Sequence, residues 1–156
     1  MHFCIVYDMS KNYIVIIGSI LLVAGFGTLF TQLGMEWFNS LIKPNEWVPS
    51  FIFPIVWTTI YLLFAYVLIK QQQNLTTKSK VFLIINGILN VLWCLIFFTL
   101  NQLLLGNIVI VINTIFGFLL FKEIYKINNL SGWLIFIYPI WLSLATTLNL
   151  AVWILN

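Results

Sequence analysis

The segment FPIVWTTIY, from Phe53 to Tyr61, lies inside a run from Phe51 to Ile69 that contains no charged residue. A helix needs about 20 predominantly apolar residues to cross a hydrocarbon core of about 30 Å, and this run has nearly that length. The segment therefore predicts a transmembrane helix. It also carries the bulky indole of Trp57, which crossing a membrane does not require.

Four further apolar runs of similar length recur along the 156 residues. With 62% hydrophobic and 7% charged residues, a soluble fold would have too few polar groups to cover its surface. The runs do not alternate polar and apolar residues as the strands of a membrane barrel do, so helices are expected. We predict an all-α integral membrane protein, a five-transmembrane-helix bundle that forms a single domain over residues 1–156. The predicted spans are 13–33, 51–69, 81–100, 104–121 and 132–155.

The basic residues are all lysines, and five spans place most of them on one side of the membrane. On that side lie Lys11, Lys70, Lys78, Lys80, Lys122 and Lys126, whereas Lys43 lies on the other. Positively charged loops tend to stay in the cytoplasm. This predicts a cytoplasmic N-terminus, a C-terminus on the opposite side, and residence in a cell membrane, in a bacterium the inner membrane.

The first eight residues differ in character from the rest, whereas MSKNYIVII, beginning at Met9, has the form of an ordinary start ahead of the first span. We interpret Met9 rather than Met1 as the first translated residue, which leaves His2, Cys4 and Asp8 without a functional role. The first apolar stretch is longer than a signal-peptide core and no small-residue cleavage pattern follows it. We therefore expect a retained helix.

Several functional classes are disfavoured by what the spans lack. None of the predicted spans has an ionisable residue near its middle, since Asp8, Glu36, Glu46 and Glu123 all lie outside them. Proton-coupled pumps and channels built on charged rings usually place such groups at depth. The sequence also shows no catalytic constellation and no metal-ligand spacing, so we expect no metal and no required cofactor. Topology explains the lysines, which leaves no support for nucleic-acid binding.

Three of the predicted helices carry bulky and polar side chains at helical spacing, so each set lies on one helix face. The sets are Phe53, Trp57, Tyr61 and Phe64 on the second span; Asn86, Asn90, Trp93 and Phe97 on the third; and Trp141, Ala145 and Asn149 on the fifth. Facing inward, they would wall a cavity for a flat apolar ligand, with Asn90 and Ser143 as hydrogen-bonding groups. The alternative is that these side chains only pack against one another.

The connections between spans also differ. The loop of residues 34–50, GMEWFNSLIKPNEWVPS, carries more large apolar side chains than a simple connection needs. We expect it either to fold over the bundle as a lid or to lie at the membrane surface as an aromatic belt. The loop of residues 70–80 is expected to be solvated, and the polar loop of residues 122–131 places Ser131 where it can cap the following helix.

Taken together, these residues resemble the tryptophan-rich sensory protein family, also called the translocator protein or TspO/MBR family. The resemblance covers the whole chain and rests on WFNSLIKP (Trp37 to Pro44), the FPIVWTTIYLL run, LNVLWCLIFF (Leu89 to Phe98) and the closing WLSLATTLNLAVWILN. The chain departs from the family after Pro44, where NEWVPS replaces an aromatic residue and a Pro-Pro pair. It also lacks the C-terminal sterol-associated pattern, so a porphyrin is expected rather than a sterol.

The resemblance implies a homodimeric membrane receptor or sensor whose ligand is a porphyrin (protoporphyrin IX or haem-like) or another flat apolar molecule. The implied pocket residues on the spans are Trp57, Asn90, Trp93, Cys94, Trp141 and Ala145, with Trp37, Phe38 and Pro44 in the covering loop. Phe53, from the stripe on the second span, completes the candidate set. Two alternatives remain: a light-dependent porphyrin-degrading enzyme that uses Trp57 and Trp141, and a carrier of tetrapyrroles or small apolar metabolites.

Overall fold

The computed structural model describes the backbone of residues 2–44 and 48–156, and the side chains of residues 12–44 and 48–156. In this part of the chain, five helices are long and apolar enough to cross a membrane. The predicted all-α bundle of five transmembrane helices is thereby confirmed. The interpretation of Met9 as the first translated residue concerns a segment whose side chains lie outside the described residues.

Six α-helices follow one another in the described residues. They are α1 (His2–Leu33), α2 (Met35–Ser40), α3 (Ile52–Gln71), α4 (Thr77–Cys94), α5 (Leu103–Ile127) and α6 (Asn129–Leu155). The short helix α2 lies in the first loop, and α4 continues as a π-helical turn, Leu95–Thr99. Asn101, with φ at 56°, reverses the chain into α5, which suits asparagine because its side chain tolerates the left-handed region. The third and fourth spans are therefore antiparallel neighbours.

The predicted boundaries of the fourth and fifth spans were wrong. α5 runs to Ile127 instead of ending at residue 121, and α6 begins at Asn129, so the predicted loop of residues 122–131 shrinks to Asn128. The charged residues there lie on the helix surface, where Glu123 pairs with Lys126 at 2.8 Å and with Lys78 at 3.2 Å. Polar residues alone therefore do not mark the end of a helix here.

The residue that caps α6 is also not the predicted one. Asn128 Oδ1 accepts a hydrogen bond from the Ser131 backbone N–H at 2.9 Å. Ser131 instead buries its hydroxyl, which accepts a hydrogen bond from Gln71 Nε2 at 3.0 Å. The loop of residues 70–80 is correspondingly shorter than predicted, since α3 extends to Gln71 and α4 begins at Thr77 with Thr76 as its cap.

The transmembrane helices are packed to very different degrees. α5 and α6 form the most extensive pair, and Gly117 lets them approach closely, because a Cβ added there would lie 3.3 Å from Pro139 Cβ. α1 lies across α3 and α4. Only 6% of its most apolar stretch is buried inside the bundle, against 44% of the corresponding stretch of α6. This helix, most of whose surface faces outward, forms one wall of the site described next.

Candidate ligand-binding site

Aromatic side chains fill the bundle beneath the first loop. Phe97 is fully buried, and its ring centroid lies 5.0 Å from that of Phe98 and 6.1 Å from that of Trp93. Such separations are typical of packed aromatic pairs. We call this group the aromatic cluster; its members are Trp37, Phe38, Phe53, Trp57, Trp93, Phe97, Phe98 and Trp141.

The described part of the first loop lies directly over this cluster. α2 brings the ring of Trp37 to 6.4 Å and that of Phe38 to 6.1 Å from Phe97. Gly34, just before α2, packs so closely against the backbone of Phe98 that a Cβ there would collide with the Phe98 carbonyl. Two hydrogen bonds of 3.0 Å join the backbone of Ile42 to the side-chain amide of Asn156. The loop is thus tied to both the π-helical turn and the end of α6.

A partly open cavity of about 800 Å³ lies between α1, α3 and α4, in the half of the bundle that faces away from this loop. Its walls are mostly apolar and include Ile16, Ile20 and Phe26 of α1, Phe64 of α3 and Leu83 of α4. Pockets for small organic molecules typically measure about 300–1,000 Å³ and are lined mainly by apolar groups. The cavity therefore has the size and the lining of a ligand site.

The inner end of the cavity meets the aromatic cluster. Tyr61 lines the cavity and stacks on Trp57, with ring centroids 5.7 Å apart. Tyr138 also lines it, lies edge-on to Trp57 at 6.4 Å, and donates a hydrogen bond to Asn113 Oδ1 at 3.2 Å. Asn90, buried beside them, completes this end. The two tyrosines therefore form a wall that the cavity shares with the cluster.

The outer end of the cavity is polar. Asn12, Gln72 and Lys80 lie there, near the start of the first span, the end of α3 and the start of α4. Among the described residues that line the cavity, Lys80 is the only one with a charge. The nearby Lys78 is held by Glu123 instead. The cavity thus runs from a cationic end to an end made of phenol rings and an amide.

The buried polar atoms that lack a hydrogen-bond partner are of different kinds in the aromatic cluster and in the cavity. Within the described residues, the indole nitrogens of Trp93 and Trp141 have no acceptor, whereas Asn86 Oδ1 and Gln72 Oε1, on residues that line the cavity, have no donor. Asn86 Nδ2 donates to the Phe82 carbonyl at 2.7 Å, which fixes the orientation of that amide because a carbonyl only accepts. Each unpaired buried group costs about 1–3 kcal/mol.

The structure brings most of the sequence-predicted site residues together in the aromatic cluster. Trp93, Cys94, Trp141 and Ala145 are buried in one core with Phe97, and Phe38, Phe53 and Trp57 pack against it. Trp37 joins this group through Phe97, and Pro44 is half-buried in the loop. Asn90 is the member of the set that lines the cavity. Binding of a ligand by these residues stays a prediction.

Other cavity residues were missed. Tyr138 lies three residues before Trp141 and so on the same helix face, a spacing that was available in the sequence. Ile16, Ile20 and Lys80 gave no such signal, because α1 carries apolar residues on all sides and Lys80 resembles any lysine that flanks a span. These residues line the cavity because of how α1 is placed against α3 and α4.

The fold and the site define an integral membrane protein with five long apolar helices, a cavity of small-molecule size between α1, α3 and α4, and a structured loop over the opposite half of the bundle. The chain belongs to the TspO/MBR family, whose model matches residues 15–154. This confirms the resemblance seen in the sequence.

Relatives occur in bacteria, archaea and animals. The chain is 32% identical to the tryptophan-rich protein TspO of Archaeoglobus fulgidus over 93% of this chain and 99% of that protein. It is 31% identical to protein CrtK of Rhodobacter capsulatus, over 77% of this chain and 78% of the relative. It is 30% identical to the human translocator protein, over 77% of this chain and 75% of that protein.

Proposed function

We propose that this protein is a membrane receptor or sensor that binds a porphyrin-type tetrapyrrole, or a similar flat apolar molecule, between α1, α3 and α4. The cavity of about 800 Å³ is the observation that carries the proposal. The family membership supports it, as does the name of one relative, the tryptophan-rich sensory protein of Cereibacter sphaeroides.

The walls of the cavity suit a flat, largely apolar molecule. Tyr61, Phe64 and Tyr138 present aromatic rings at its inner end, and a conjugated macrocycle gains from stacked or edge-on contact with such rings. The amide of Asn90 adds a polar group that can orient the ligand. Trp57 supports this wall from behind through its stacking on Tyr61.

The exposure of residues that line the cavity supports entry from the bilayer. Phe26 lines the cavity and is 47% exposed on the surface of the bundle, and Ile88 of α4 lines it and is 55% exposed. The cavity wall is therefore continuous with the surface that lipid covers. An apolar ligand dissolved in the membrane can reach the site by a small displacement of α1.

Filling the cavity tests this proposal. Ile20 lines the cavity, whereas Ile17, one turn earlier on α1, is 44% exposed and lies outside the lining. We expect Ile20→Trp to weaken protoporphyrin IX binding at least tenfold, a loss of about 1.4 kcal/mol or more, because the indole occupies ligand space. Ile17→Trp adds the same side chain toward lipid and should leave the affinity unchanged.

The measurement is quenching of tryptophan fluorescence by protoporphyrin IX, with protein in zwitterionic lipid nanodiscs and empty nanodiscs as the blank. No saturable quenching of the unaltered protein would reject the receptor proposal. Equal affinity of the two variants would show instead that the ligand binds elsewhere on the protein.

We also propose a homodimer with a cytoplasmic N-terminus in the cell membrane, in a bacterium the inner membrane. The orientation is supported by Lys70, Lys78, Lys80, Lys122 and Lys126, which lie at the end of the bundle where α3 connects to α4 and α5 to α6. A C-terminal alkaline phosphatase fusion should then be active, and an inactive fusion would indicate the opposite orientation. Light scattering of the purified protein would test the dimer. The porphyrin-degrading and carrier alternatives stay predictions.

A further inference from the structure

The two ends of the cavity differ in charge, and this difference bears on which tetrapyrroles fit. Lys80 lies at the outer end, where its side chain is exposed. Neighbouring cations are engaged elsewhere: Lys78 pairs with Glu123, and Lys70 Nζ donates to the Tyr66 hydroxyl at 3.1 Å. Among the described residues, Lys80 has no ion pair. Its ammonium group is therefore available to a ligand.

Deeper in the cavity, no positively charged side chain would offset the charge of an acidic group. The polar side chains there are uncharged, and Asn86 Oδ1 is already an acceptor without a donor. A carboxylate placed among apolar walls loses its hydration, and an unpaired buried charge is far more costly than an unpaired amide. An acidic ligand is thus stable in one orientation only, with its carboxylates at the outer end.

The length of the cavity agrees with this orientation. Lys80 and Asn90 are ten positions apart on α4, and a helix rises about 1.5 Å per residue, so the outer and inner ends are about 15 Å apart. A molecule with acid groups on one edge and an apolar opposite edge can therefore contact Lys80 and the tyrosines at once.

We propose that Lys80 selects acidic tetrapyrroles, by holding the carboxylate edge at the membrane surface while the apolar edge contacts Tyr61 and Tyr138. This inference rests on the proposed function and adds an orientation and a specificity-determining residue. It predicts that the free acid binds more tightly than an ester of the same macrocycle, because esterification removes the charge and leaves the ring unchanged.

A cycle of two ligands and three variants tests it. The ligands are protoporphyrin IX and its dimethyl ester, and the variants are Lys80→Gln, Lys80→Arg and the matched control Lys78→Gln, all titrated in zwitterionic nanodiscs at low salt. An accessible ion pair is worth up to about 1 kcal/mol, which corresponds to about a fivefold change in affinity. We expect Lys80→Gln to weaken free-acid binding about fivefold without changing ester binding.

The controls separate this effect from general surface charge. Lys78→Gln removes the same charge two residues away and should change neither affinity, whereas Lys80→Arg keeps the charge and should preserve preference for the acid. High salt should narrow the difference between the two ligands. Equal binding of acid and ester, or equal losses in Lys80→Gln and Lys78→Gln, would overturn the inference while leaving the receptor proposal intact. Failure of both ligands to bind the unaltered protein would reject the receptor proposal itself.

Discussion

The half of the bundle beneath the first loop and the half between α1, α3 and α4 use aromatic side chains differently. In the first, Trp93, Phe97 and Phe98 contact one another and leave no exposed surface on Phe97. In the second, Tyr61 and Phe64 border a cavity of about 800 Å³. Inward-facing aromatic residues therefore close the bundle where they contact one another, and line a cavity where the helices leave a gap between them.

The largest effect expected from this contrast concerns stability. Phe97→Ala removes a ring that four other aromatic side chains contact, and truncation of a buried phenylalanine costs about 3–5 kcal/mol. We expect a value near the lower limit, because lipid already solvates apolar groups in the unfolded state. Unfolding of the protein in mixed micelles would measure the loss.

The matched variant is Phe26→Ala at the cavity wall. Its ring is 47% exposed, so its truncation removes few contacts and should cost much less than that of Phe97. Equal losses in the two variants would mean that the two halves are packed alike, against the account given above.

A smaller effect is expected at Gly34. A Cβ there collides with the backbone of Phe98, so Gly34→Ala must displace the first loop or the π-helical turn, and such overpacking typically costs about 1–3 kcal/mol. Gly18→Ala is the control, since a Cβ at Gly18 meets no atom within 4 Å. Thermal unfolding of both variants in detergent should show a loss for Gly34→Ala alone. An unaltered midpoint in Gly34→Ala would show that the loop is not tightly seated.

The smallest effect concerns ligand affinity in the double variant Trp57→Phe with Trp141→Phe. Both tryptophans lie in the aromatic cluster, and phenylalanine keeps most of the ring volume there. If the ligand occupies the cavity, its affinity should change by no more than about twofold, because the contacts of Tyr61, Asn90 and Tyr138 remain, and twofold is about 0.4 kcal/mol. Protoporphyrin titration would measure it. A loss as large as that expected for Ile20→Trp would place the ligand among the tryptophans, as the sequence predicts.

Much of the fold follows from the sequence because the bilayer imposes simple constraints. Uncharged runs of sufficient length required five helices, and helical spacing correctly placed Asn90, Trp93 and Phe97 on a buried face. The sequence did not predict where α5 ends and where α6 begins. Lys122 and Lys126 suggested a loop, but both lie on α5, which continues to Ile127.

The cavity could not be predicted, since it depends on how completely neighbouring helices meet. The stripe from Phe53 to Phe64 runs from the aromatic cluster into the cavity wall, and nothing in its spacing marks the transition. That transition is set by α1, whose uniformly apolar sequence gives no preferred face. Residue spacing thus predicted which side chains face inward and left open whether they fill space or border it.

The most direct test of the central claim is an experimental structure of the protein in nanodiscs with protoporphyrin IX bound. We expect the macrocycle between α1, α3 and α4, with its apolar edge against Tyr61 and Tyr138 and the aromatic cluster still closed. A macrocycle inserted beneath the first loop among Trp57, Trp93 and Trp141, with the cavity free of porphyrin, would contradict it.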